Sequence, residues 1–481
     1  RIKRIQNKDV FFLTGTDEHG QKIEKAAKKN NLDPKIFCDQ ISETFRNLTK
    51  LLNLSNDDFI RTTEERHKTS VQYLWNKLNK SGNIYLSNYK GWYSVSDEAF
   101  YNEDEIIKNE SGDYVCNQSG SKVEWVEEES YFFKLSKWQD KLLDFYDKNP
   151  EFILPKSRKN EVISFVKSGL KDLSISRKNF SWGINVPGDE KHVIYVWLDA
   201  LTNYISALNY PDTNDSKYKK YWPASIHLIG KDILRFHAVY WPAFLLAAGI
   251  EPPIRVYGHG WILSGAEKMS KSKGNILDPI EIIKKYGLDQ LRYYLIKEVS
   301  FGNDGKITNE NIENCINNDL ANNFGNFCQR VISFAEKNSE NKIPSNIKFL
   351  DEDKKILNSF SDNLNILRSF IDSQKLNEYI KFVVDKSFEA NKYFNDQSPW
   401  SKKDNVERMN TIVYVSLEII RKLSILLMPI MPETSLKSLK SISVETKTLN
   451  IESIKNHLFL IKDTLLNNQG ILFKKIEKNN D

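Results

Sequence analysis

The sequence predicts an α/β protein whose parallel sheet is interrupted by a mostly β insertion and followed by an all-α helical bundle. Three observations lead to this fold class. A strand, a polar loop and a helix lie close to the start, residues 91–185 are rich in aromatic residues and glycine turns, and apolar residues recur at helical spacing from about Asn309. Each of these sequence patterns is typical of a different kind of local structure, so the chain should contain all three kinds.

The first predicted element is a buried strand over Asp9–Gly15, followed by the polar loop Thr16–Gly20 and a lysine-rich helix from about Gln21. A strand, a ligand-rich loop and a helix form the repeating unit of parallel sheets. Three more short apolar runs, each followed by polar or glycine residues, predict further units of this kind at His192–Trp197, Ser225–Gly230 and Pro253–Tyr257.

The region between the first of these units and the other three has a different composition. Aromatic and β-branched residues stand beside glycines in Gly91–Asp97 and Gly120–Trp125, which predicts short strands and turns. In the final third, glycine and proline are scarce, which favours a helical bundle. The apolar residues there follow a helical spacing, as in Ile356, Leu357, Phe360 and Leu364.

Composition excludes several classes of protein. The 481 residues are 40% hydrophobic and 28% charged, and 69 Lys+Arg against 64 Asp+Glu leave a formal charge of +5. This composition can provide cores for about three domains, and it excludes disordered, collagen-like and disulfide-scaffold proteins. The longest apolar stretch is well short of the roughly 20 residues of a membrane span. The four scattered cysteines favour a reducing compartment.

The strongest local signal for chemistry is the string Lys268-Met-Ser-Lys-Ser272. Two ammonium groups on flexible stems, separated by small hydroxyl residues, suit a mobile loop that closes over a triphosphate as negative charge develops. On composition alone, a solvated turn in a lysine-rich protein is the alternative.

That string is the signature loop of class I aminoacyl-tRNA synthetases, and four other motifs accompany it in order. They are Phe11–Gly20, Tyr195–Ala200, Gly230–Ile233 with Phe236 and His237, and Gly258–Trp261. Together they resemble the methionyl-tRNA synthetase family from residue 1 to about residue 440. The resemblance implies a methionine–tRNA ligase that forms methionyl-adenylate from methionine and ATP and then charges methionine tRNA, both initiator and elongator.

The resemblance also implies a domain order. A Rossmann-like catalytic domain would occupy residues 1–90 and 186–308, with the signature loop and a stem-contact region in its second half. The connective insertion would occupy residues 91–185, and a helical anticodon-binding domain residues 309–481.

The implied methionine site begins with Asp17, at the carboxyl end of a predicted parallel strand, where ligands of such sheets bind. In the family this residue pairs with the α-ammonium group, although a helix N-cap is its alternative role. The spacing of three and four residues places one set of side chains on a single helical face. These are Trp197, Ala200, Leu201 and Tyr204.

Without the resemblance, that face would be read as plain core. With it, the face becomes a wall of the methionine side-chain pocket, where a polarizable thioether sulfur favours aromatic neighbours. The resemblance adds Ile233, Phe236 and His237 to the pocket. A lone histidine is more often structural, and Leu201 departs from the proline often found at its position.

For ATP, the resemblance places His259, Gly260 and Trp261 beside adenine and ribose. It assigns ATP binding to the signature loop, namely to Lys268, Met269, Ser270, Lys271 and Ser272, with phosphate contact by the two lysines. Lys268 and Lys271 would be the catalytic residues. No nucleophilic side chain is required, because the methionine carboxylate attacks the α-phosphate while the protein positions the reactants, with Mg²⁺ on the ATP phosphates.

A structural zinc site can be tested against the sequence. The positions that hold the metal in many relatives correspond to Ser94, Asp97, Cys116 and Ser119, and only one of these is a thiol. Four Cys or His ligands are typical of structural zinc. The sequence therefore predicts no zinc and an insertion held by the packing of its aromatic residues, Trp92, Tyr93, Phe100 and Trp125.

The helical third suggests how tRNA is read. Asn322, Asn326 and Arg330 are four residues apart and so project from one helical face. Amides and a guanidinium can read the bases of an opened RNA loop. In the family these positions face the anticodon and Trp400 matches a tryptophan that stacks on an anticodon base. Ordinary exposed surface and helix-end packing are the alternatives.

The sequence lacks the His-Ile-Gly-His-like motif of class I synthetases and begins at Arg1 instead of methionine. We therefore expect an N-terminally truncated chain with an exposed sheet edge at Val10–Leu13 and part of its ATP site missing. Such a chain should have little or no activity by itself.

Two alternative functions remain open. One is a class I synthetase for another aliphatic amino acid, although an insertion of about 95 residues is too short for an editing domain. The other is a tRNA-binding fragment or paralogue without catalysis. We expect a monomer without membrane association, located in the cytoplasm, with an organelle matrix also open.

Overall fold

The computed structural model describes residues 1–264, 277–298, 301–446 and 449–477, together with the backbone alone of residues 267–268. These residues form two compact units. One comprises Phe11–His259, and the other comprises Arg1–Val10 with Gly260–Asp481. The α/β prediction with a final helical bundle is confirmed by the elements of the two units.

The unit Phe11–His259 alternates helices with short strands. Its helices are Gln21–Lys29, Pro34–Leu51, Glu65–Lys80, Gln139–Lys148, Lys156–Lys167, Val196–Ser206, Ser216–Tyr221 and Trp241–Ala247, with a π-helix at Phe236–Tyr240 and 3₁₀ turns at Glu103–Glu105, Leu135–Trp138 and Lys231–Ile233. Its strands are Leu13–Thr16, Asp58–Arg61, Ile84–Ser94, Ala99–Tyr101, Ile106–Lys108, Tyr114–Cys116, Glu124–Phe133, Ile153–Leu154, Leu173–Ser174, Ser176–Arg177, Asn185–Val186, Asp189–Ile194, His227–Gly230 and Val256–His259.

The parallel pairing expected of an α/β unit is present in two sheets. Leu13–Thr16 pairs with Asp58–Arg61, and His227–Gly230 pairs with Val256–His259, which also pairs with Ile153–Leu154. The first strand begins at Leu13, not at Asp9 as predicted, and its residues are only partly buried or exposed. The apolar run in the sequence therefore predicted a longer and more deeply buried strand than the structure contains.

The prediction of a parallel unit at His192–Trp197 is wrong. The strand there is Asp189–Ile194, and it pairs antiparallel with Ser176–Arg177 and Asn185–Val186. Gly188 adopts a positive φ of 82° between the two halves of this ribbon. Such a tight turn returns the chain antiparallel to itself, which an apolar run alone does not reveal.

The predicted β insertion has a four-stranded antiparallel sheet at its centre, in which Ile84–Ser94 pairs with Ala99–Tyr101 and Glu124–Phe133. The expected aromatic packing is confirmed. The rings of Trp92 and Trp125 lie edge to face at 5.4 Å, and those of Tyr93 and Phe100 lie 5.0 Å apart. Residues 139–167 are mainly helical, because Leu142 and Tyr146 bury one helical face. The β-strands therefore occupy only part of the range 91–185 that was predicted to be mostly β.

The other unit is mainly helical. Its helices are Ile2–Ile5, Pro279–Tyr286, Leu288–Glu298, Asn309–Cys315, Asn326–Asn338, Asp351–Ser361, Leu364–Asp372, Leu376–Gln397, Val406–Leu427 and Pro432–Ser441, with a π-helix at Ile316–Gly325 and 3₁₀ turns at Pro399–Ser401 and Ile451–Lys455. A small sheet contains Ile262–Ser264, Glu267–Lys268 and Gly305–Ile307.

The core of this unit surrounds Val406–Leu427, whose residues from Thr411 to Leu427 are all buried. Leu357, Phe360 and Leu364, which the helical spacing singled out, are buried in the same core. In the described part of the chain, no helix is both long enough and apolar enough to cross a membrane.

Candidate active site

The helix Val196–Ser206 carries one wall of the candidate pocket. Trp197 and Tyr204 are partly exposed on this helix, whereas Ala200 and Leu201 are buried, with Leu201 only 1% exposed. Positions 197, 200, 201 and 204 therefore share a face as the spacing predicted, but Leu201 lies in the core beneath it.

A second segment brings two aromatic partners to this wall. Phe236 stacks on Trp197 with ring centroids 3.8 Å apart and planes within 8° of parallel. One residue later, Nε2 of His237 lies 2.8 Å from the hydroxyl of Tyr204. Both partners belong to the π-helix Phe236–Tyr240, and single-turn π-helices of this kind occur frequently at functional sites.

Hydrogen bonding fixes the tautomer of His237. Its Nδ1 lies 3.0 Å from the carbonyl oxygen of Ile233, which can only accept, so Nδ1 donates. Nε2 therefore accepts from the hydroxyl of Tyr204. Burial lowers the pKa of His237 to about 4, so the imidazole is neutral at neutral pH. Five of the predicted pocket residues, Trp197, Tyr204, Ile233, Phe236 and His237, are thus linked by direct contacts.

Asp17 follows the strand Leu13–Thr16 and retains accessible surface, as a ligand-binding group requires. Desolvation, and then the nearby charges of Glu98 and Asp199, raise the pKa of its carboxyl group well above the usual value. A cation that reached this carboxyl would relieve the repulsion and stabilise its ionised form. The predicted N-cap alternative is not observed, because Gly20 is the N-cap of Gln21–Lys29.

A buried network next to this loop was not predicted. Asp199 accepts from Nδ1 of His19 at 2.6 Å and from Nε2 of His67 at 2.7 Å, while Nδ1 of His67 lies 2.9 Å from the hydroxyl of Ser206. Burial alone would raise the pKa of Asp199, but the two imidazoles lower it to about 2. The network ties the loop of Asp17 to the helix that carries the pocket wall.

The loop is held from its other side by Glu18. Its carboxylate accepts from Nε and Nη2 of Arg61 at 2.7 and 2.9 Å, and from the hydroxyls of Thr16 and Thr63 at 2.6 Å each. Although burial opposes it, these bonds lower the pKa of Glu18. Residues on both sides of Asp17 are therefore fixed in place.

A second unpredicted residue, Glu98, reaches the site from the insertion. Its backbone carbonyl accepts from the hydroxyl of Tyr195 at 2.8 Å and from Nε1 of Trp197 at 3.2 Å. Burial raises the pKa of its carboxyl group to about 7. Two acidic side chains with raised pKa values, Asp17 and Glu98, therefore lie at one end of the pocket wall.

The residues predicted to bind ATP are only partly described. His259 is exposed at the end of the strand Val256–His259. In the other unit, the backbone N–H of Trp261 donates to the carboxylate of Asp304 at 2.9 Å, directly after Gly260. The backbone of Lys268 ends the strand Glu267–Lys268. The remaining residues predicted to bind ATP, Met269, Ser270, Lys271 and Ser272, lie outside the described residues.

Asp97, one of the four positions aligned with zinc ligands, is engaged in hydrogen bonds to hydroxyl groups. Its carboxylate accepts hydrogen bonds from the hydroxyls of Ser119 and Ser121, each at 2.6 Å, and from the hydroxyl of Tyr101 at 2.8 Å. Since these bonds occupy both carboxylate oxygens and Cys116 is the only thiol among the four aligned positions, the donor set does not fit Zn²⁺. Over the residues that the structure describes, no group of three or more His, Cys, Asp and Glu could hold a metal ion.

The predicted tRNA-reading residues lie in the helical unit. Asn322 and Asn326 are exposed, and Arg330 is half-buried. Trp400 is 45% exposed, and the guanidinium of Arg330 lies 6.0 Å from its ring centroid and 5.4 Å from that of Phe394. The structure therefore brings Trp400 close to Arg330, which the sequence could not show.

Comparisons with known proteins identify the family of the chain. The family model described as "tRNA synthetases class I (M)" matches residues 1–332, and the "Anticodon binding domain of methionyl tRNA ligase" matches residues 343–481. A methionine–tRNA ligase of Brucella suis is 51% identical over 445 residues, which cover 92% of this chain and 86% of the relative. One of Rickettsia felis is 48% identical over 484 residues, which cover 99% of this chain and 93% of the relative.

A solved structure is similar over almost the same length. The methionyl-tRNA synthetase of Mycobacterium tuberculosis, bound by methionyl-adenylate, has a TM-score of 0.95 at 42% identity and covers 98% of this chain and 94% of its own. The expectation of a missing upstream segment stays a prediction. The family models and these relatives show that the chain belongs to the methionyl-tRNA synthetase family, the class I ligases that join methionine to tRNA.

Proposed function

We propose that the paired aromatic residues of the pocket bind the methionine side chain. The observation that carries this proposal is the double contact between two segments, in which Trp197 stacks on Phe236 and Tyr204 bonds to His237. Aromatic faces and a neutral imidazole suit a polarizable thioether, which carries no charge. Ala200 and Ile233 complete the apolar lining, and Leu201 packs beneath it.

In the proposed reaction, Asp17 binds the α-ammonium and leaves the carboxylate of methionine free. A carboxylate oxygen attacks the α-phosphorus of ATP and pyrophosphate leaves, which forms methionyl-adenylate. A ribose hydroxyl of the 3′-terminal adenosine then attacks the carbonyl carbon and AMP leaves. The protein contributes positioning and charge compensation, so no protein nucleophile takes part.

ATP enters this scheme with Mg²⁺ on its phosphates, so the metal is part of the substrate. His259, Gly260 and Trp261 are proposed to contact adenine and ribose. Lys268 and Lys271 are proposed to compensate the phosphate charge, with Met269, Ser270 and Ser272 as the rest of their loop. Support for this part comes from the motif and the family, because the loop lies outside the described residues.

The proposed tRNA contacts are Asn322, Asn326, Arg330 and Trp400. Exposed amides beside an exposed indole and a guanidinium can hydrogen-bond to and stack on unpaired bases, which supports an anticodon role. Because both methionine tRNAs share this anticodon, initiator and elongator tRNA should both be substrates.

The remaining proposals concern the state of the protein. We propose a monomer in the cytoplasm whose insertion is held by hydrogen bonds and aromatic packing instead of zinc. The two alternative functions receive less support, since relatives described as methionine–tRNA ligases align along nearly the whole chain. The insertion of the present chain also offers no room for an editing domain.

A substitution in the pocket tests the proposal. Replacing Trp197 by alanine removes the stacking partner of Phe236 and should raise the KM for methionine at least tenfold in ATP–pyrophosphate exchange, while the KM for ATP changes less than twofold. Phe388→Ala, which removes an exposed aromatic residue of the helical unit, is the control. An equal rise in both KM values for Trp197→Ala would contradict the proposed pocket.

A further inference from the structure

Glu98 has an unusual backbone conformation beside the proposed methionine site. It follows Asp97 in the turn that joins the strands Ile84–Ser94 and Ala99–Tyr101, and its φ of 49° lies in the left-handed region. Residues with a Cβ rarely adopt this conformation, and such strain is concentrated at functional sites. The turn aims the residue out of the insertion towards the loop that carries Asp17.

The two halves of Glu98 contact two different parts of the proposed site. The backbone carbonyl accepts hydrogen bonds from Tyr195 and Trp197, which begin the helix of the pocket wall. The carboxylate lies against Gly20, where an added Cβ would come within 2.2 Å of Oε1. Gly20 follows Asp17 by three residues, so the carboxylate touches the loop that carries the proposed ammonium ligand.

Charges of both signs surround this carboxylate. Asp17 and Asp199 repel it, while the ammonium group and the backbone N–H of Lys22 favour its ionised form. Tyr93 and Tyr195 are the other ionisable groups that face it. Oε1 is buried and has no hydrogen-bond partner among the residues that the structure describes. A buried carboxylate oxygen without a partner is costly unless a ligand pairs with it.

Resting on the proposed function, we infer that Glu98 is a second carboxylate of the methionine site and acts together with Asp17 on the α-ammonium group. One incoming ammonium ion would then offset the repulsion between two carboxyl groups that the protein holds close together. The insertion would contribute directly to amino-acid binding, in addition to any role in binding tRNA.

A purely structural role is the competing explanation. The carboxylate also lies near the first turn of the helix Gln21–Lys29, where an acidic group favours the helix N-terminus. A structural residue would affect every ligand of the site alike. A residue that acts on the ammonium group would affect only those ligands that carry one.

The experiment uses protein expressed from the complete reading frame and compares Glu98→Gln with wild type. Two competitive inhibitors of methionine-dependent exchange serve as probes: methioninol, which keeps the ammonium group, and 4-(methylthio)butanoate, which lacks it. For Glu98→Gln we expect the inhibition constant of methioninol to rise about tenfold, with that of the ammonium-free acid unchanged. Glu103→Gln, an exposed acidic residue of the same insertion, is the control and should match wild type.

Glu98→Asp provides a second variant in case the first does not fold. It retains the charge but withdraws it by one methylene, so methioninol binding should weaken less than in Glu98→Gln. The inference would be overturned if, in whichever variant folds, the binding of both inhibitors weakens equally or the binding of neither inhibitor weakens. Absence of methionine-dependent exchange in the wild-type protein would instead overturn the proposed function, so the two failures can be told apart.

Discussion

The hydroxyl of Tyr204 donates a hydrogen bond to Nε2 of His237 over 2.8 Å, because Nδ1 of the same imidazole donates to the carbonyl of Ile233. The hydroxyl hydrogen thereby bonds to the protein, so the proposed methionine pocket would present the tyrosine ring and the hydroxyl lone pairs to its ligand. A pocket without a free donor in this pair suits an apolar thioether better than a hydroxylated or amide side chain.

Tyr204→Phe tests this bond. The variant leaves buried Nε2 of His237 without its donor, which should cost about 1–3 kcal/mol of stability, and should raise the KM for methionine about threefold to tenfold. Thermal unfolding and exchange kinetics measure the two effects. Tyr73→Phe, at an exposed tyrosine of the same unit, is the matched control. Identical behaviour of the two variants would mean that the bond does not shape the pocket.

The pH dependence of stability should reveal the neutral histidines of the pocket. Burial lowers the pKa of His237 to about 4 and that of His227, which also faces His237, well below the usual 6.5. Below about pH 6.5 the unfolded chain protonates these imidazoles and the folded protein does not. The unfolded state then binds more protons, so the free energy of unfolding must fall as the pH drops from 6.5 towards 4.

His237→Gln should flatten this decline, since one such imidazole accounts for about 3 kcal/mol at its full extent. Urea unfolding at pH 7, 6 and 5 measures the slope for wild type and variant. His259→Gln, which replaces an exposed histidine, should keep the wild-type slope. An unchanged slope in His237→Gln would show that this imidazole is not held neutral.

The hydrogen bonds of Asp97 should replace a metal in stabilising the insertion. Asp97→Ala removes the acceptor of three hydroxyl groups, so the insertion should lose about 1–3 kcal/mol of local stability. Hydrogen exchange of Tyr114–Cys116 and of Ala99–Tyr101 reports this loss. A strong zinc chelator should leave the unfolding temperature of the wild-type protein unchanged, and a decrease would contradict the zinc-free account.

Trp400→Ala should separate tRNA charging from methionine activation. Loss of a stacking face costs about 1–3 kcal/mol per base, so charging should fall by roughly 5–150-fold while exchange stays within twofold. Trp400→Phe, which keeps an aromatic face, should recover most of the charging rate. If Trp400→Ala reduces both activities alike, the residue does not read the anticodon.

Local patterns predicted those parts of the site that lie within one element. The spacing of Trp197 and Tyr204, for example, placed both residues on one helical face. Periodicity could not reveal the π-helix Phe236–Tyr240, whose widened turn presents Phe236 and His237 to that face. A π-helix forms in response to packing and leaves no repeat of its own in the sequence.

Contacts between distant residues were beyond the reach of the sequence. His19 meets Asp199 across 180 positions and His67 meets it across 132, so tertiary folding alone brings them together. The sequence contained one weak indication of a functional role for Glu98, namely that this acidic residue directly follows the turn-forming residues Ser96–Asp97. Its left-handed backbone and its position beside Gly20 appear only in three dimensions.

The most direct test of the central claim is amino-acid-dependent ATP–pyrophosphate exchange by protein from the complete reading frame. A pocket built on Trp197, Tyr204, Phe236 and His237 should support rapid exchange with methionine and at least 100-fold lower kcat/KM with leucine, isoleucine or valine. Absence of methionine-dependent exchange, or comparable exchange with one of the branched amino acids, would contradict the account.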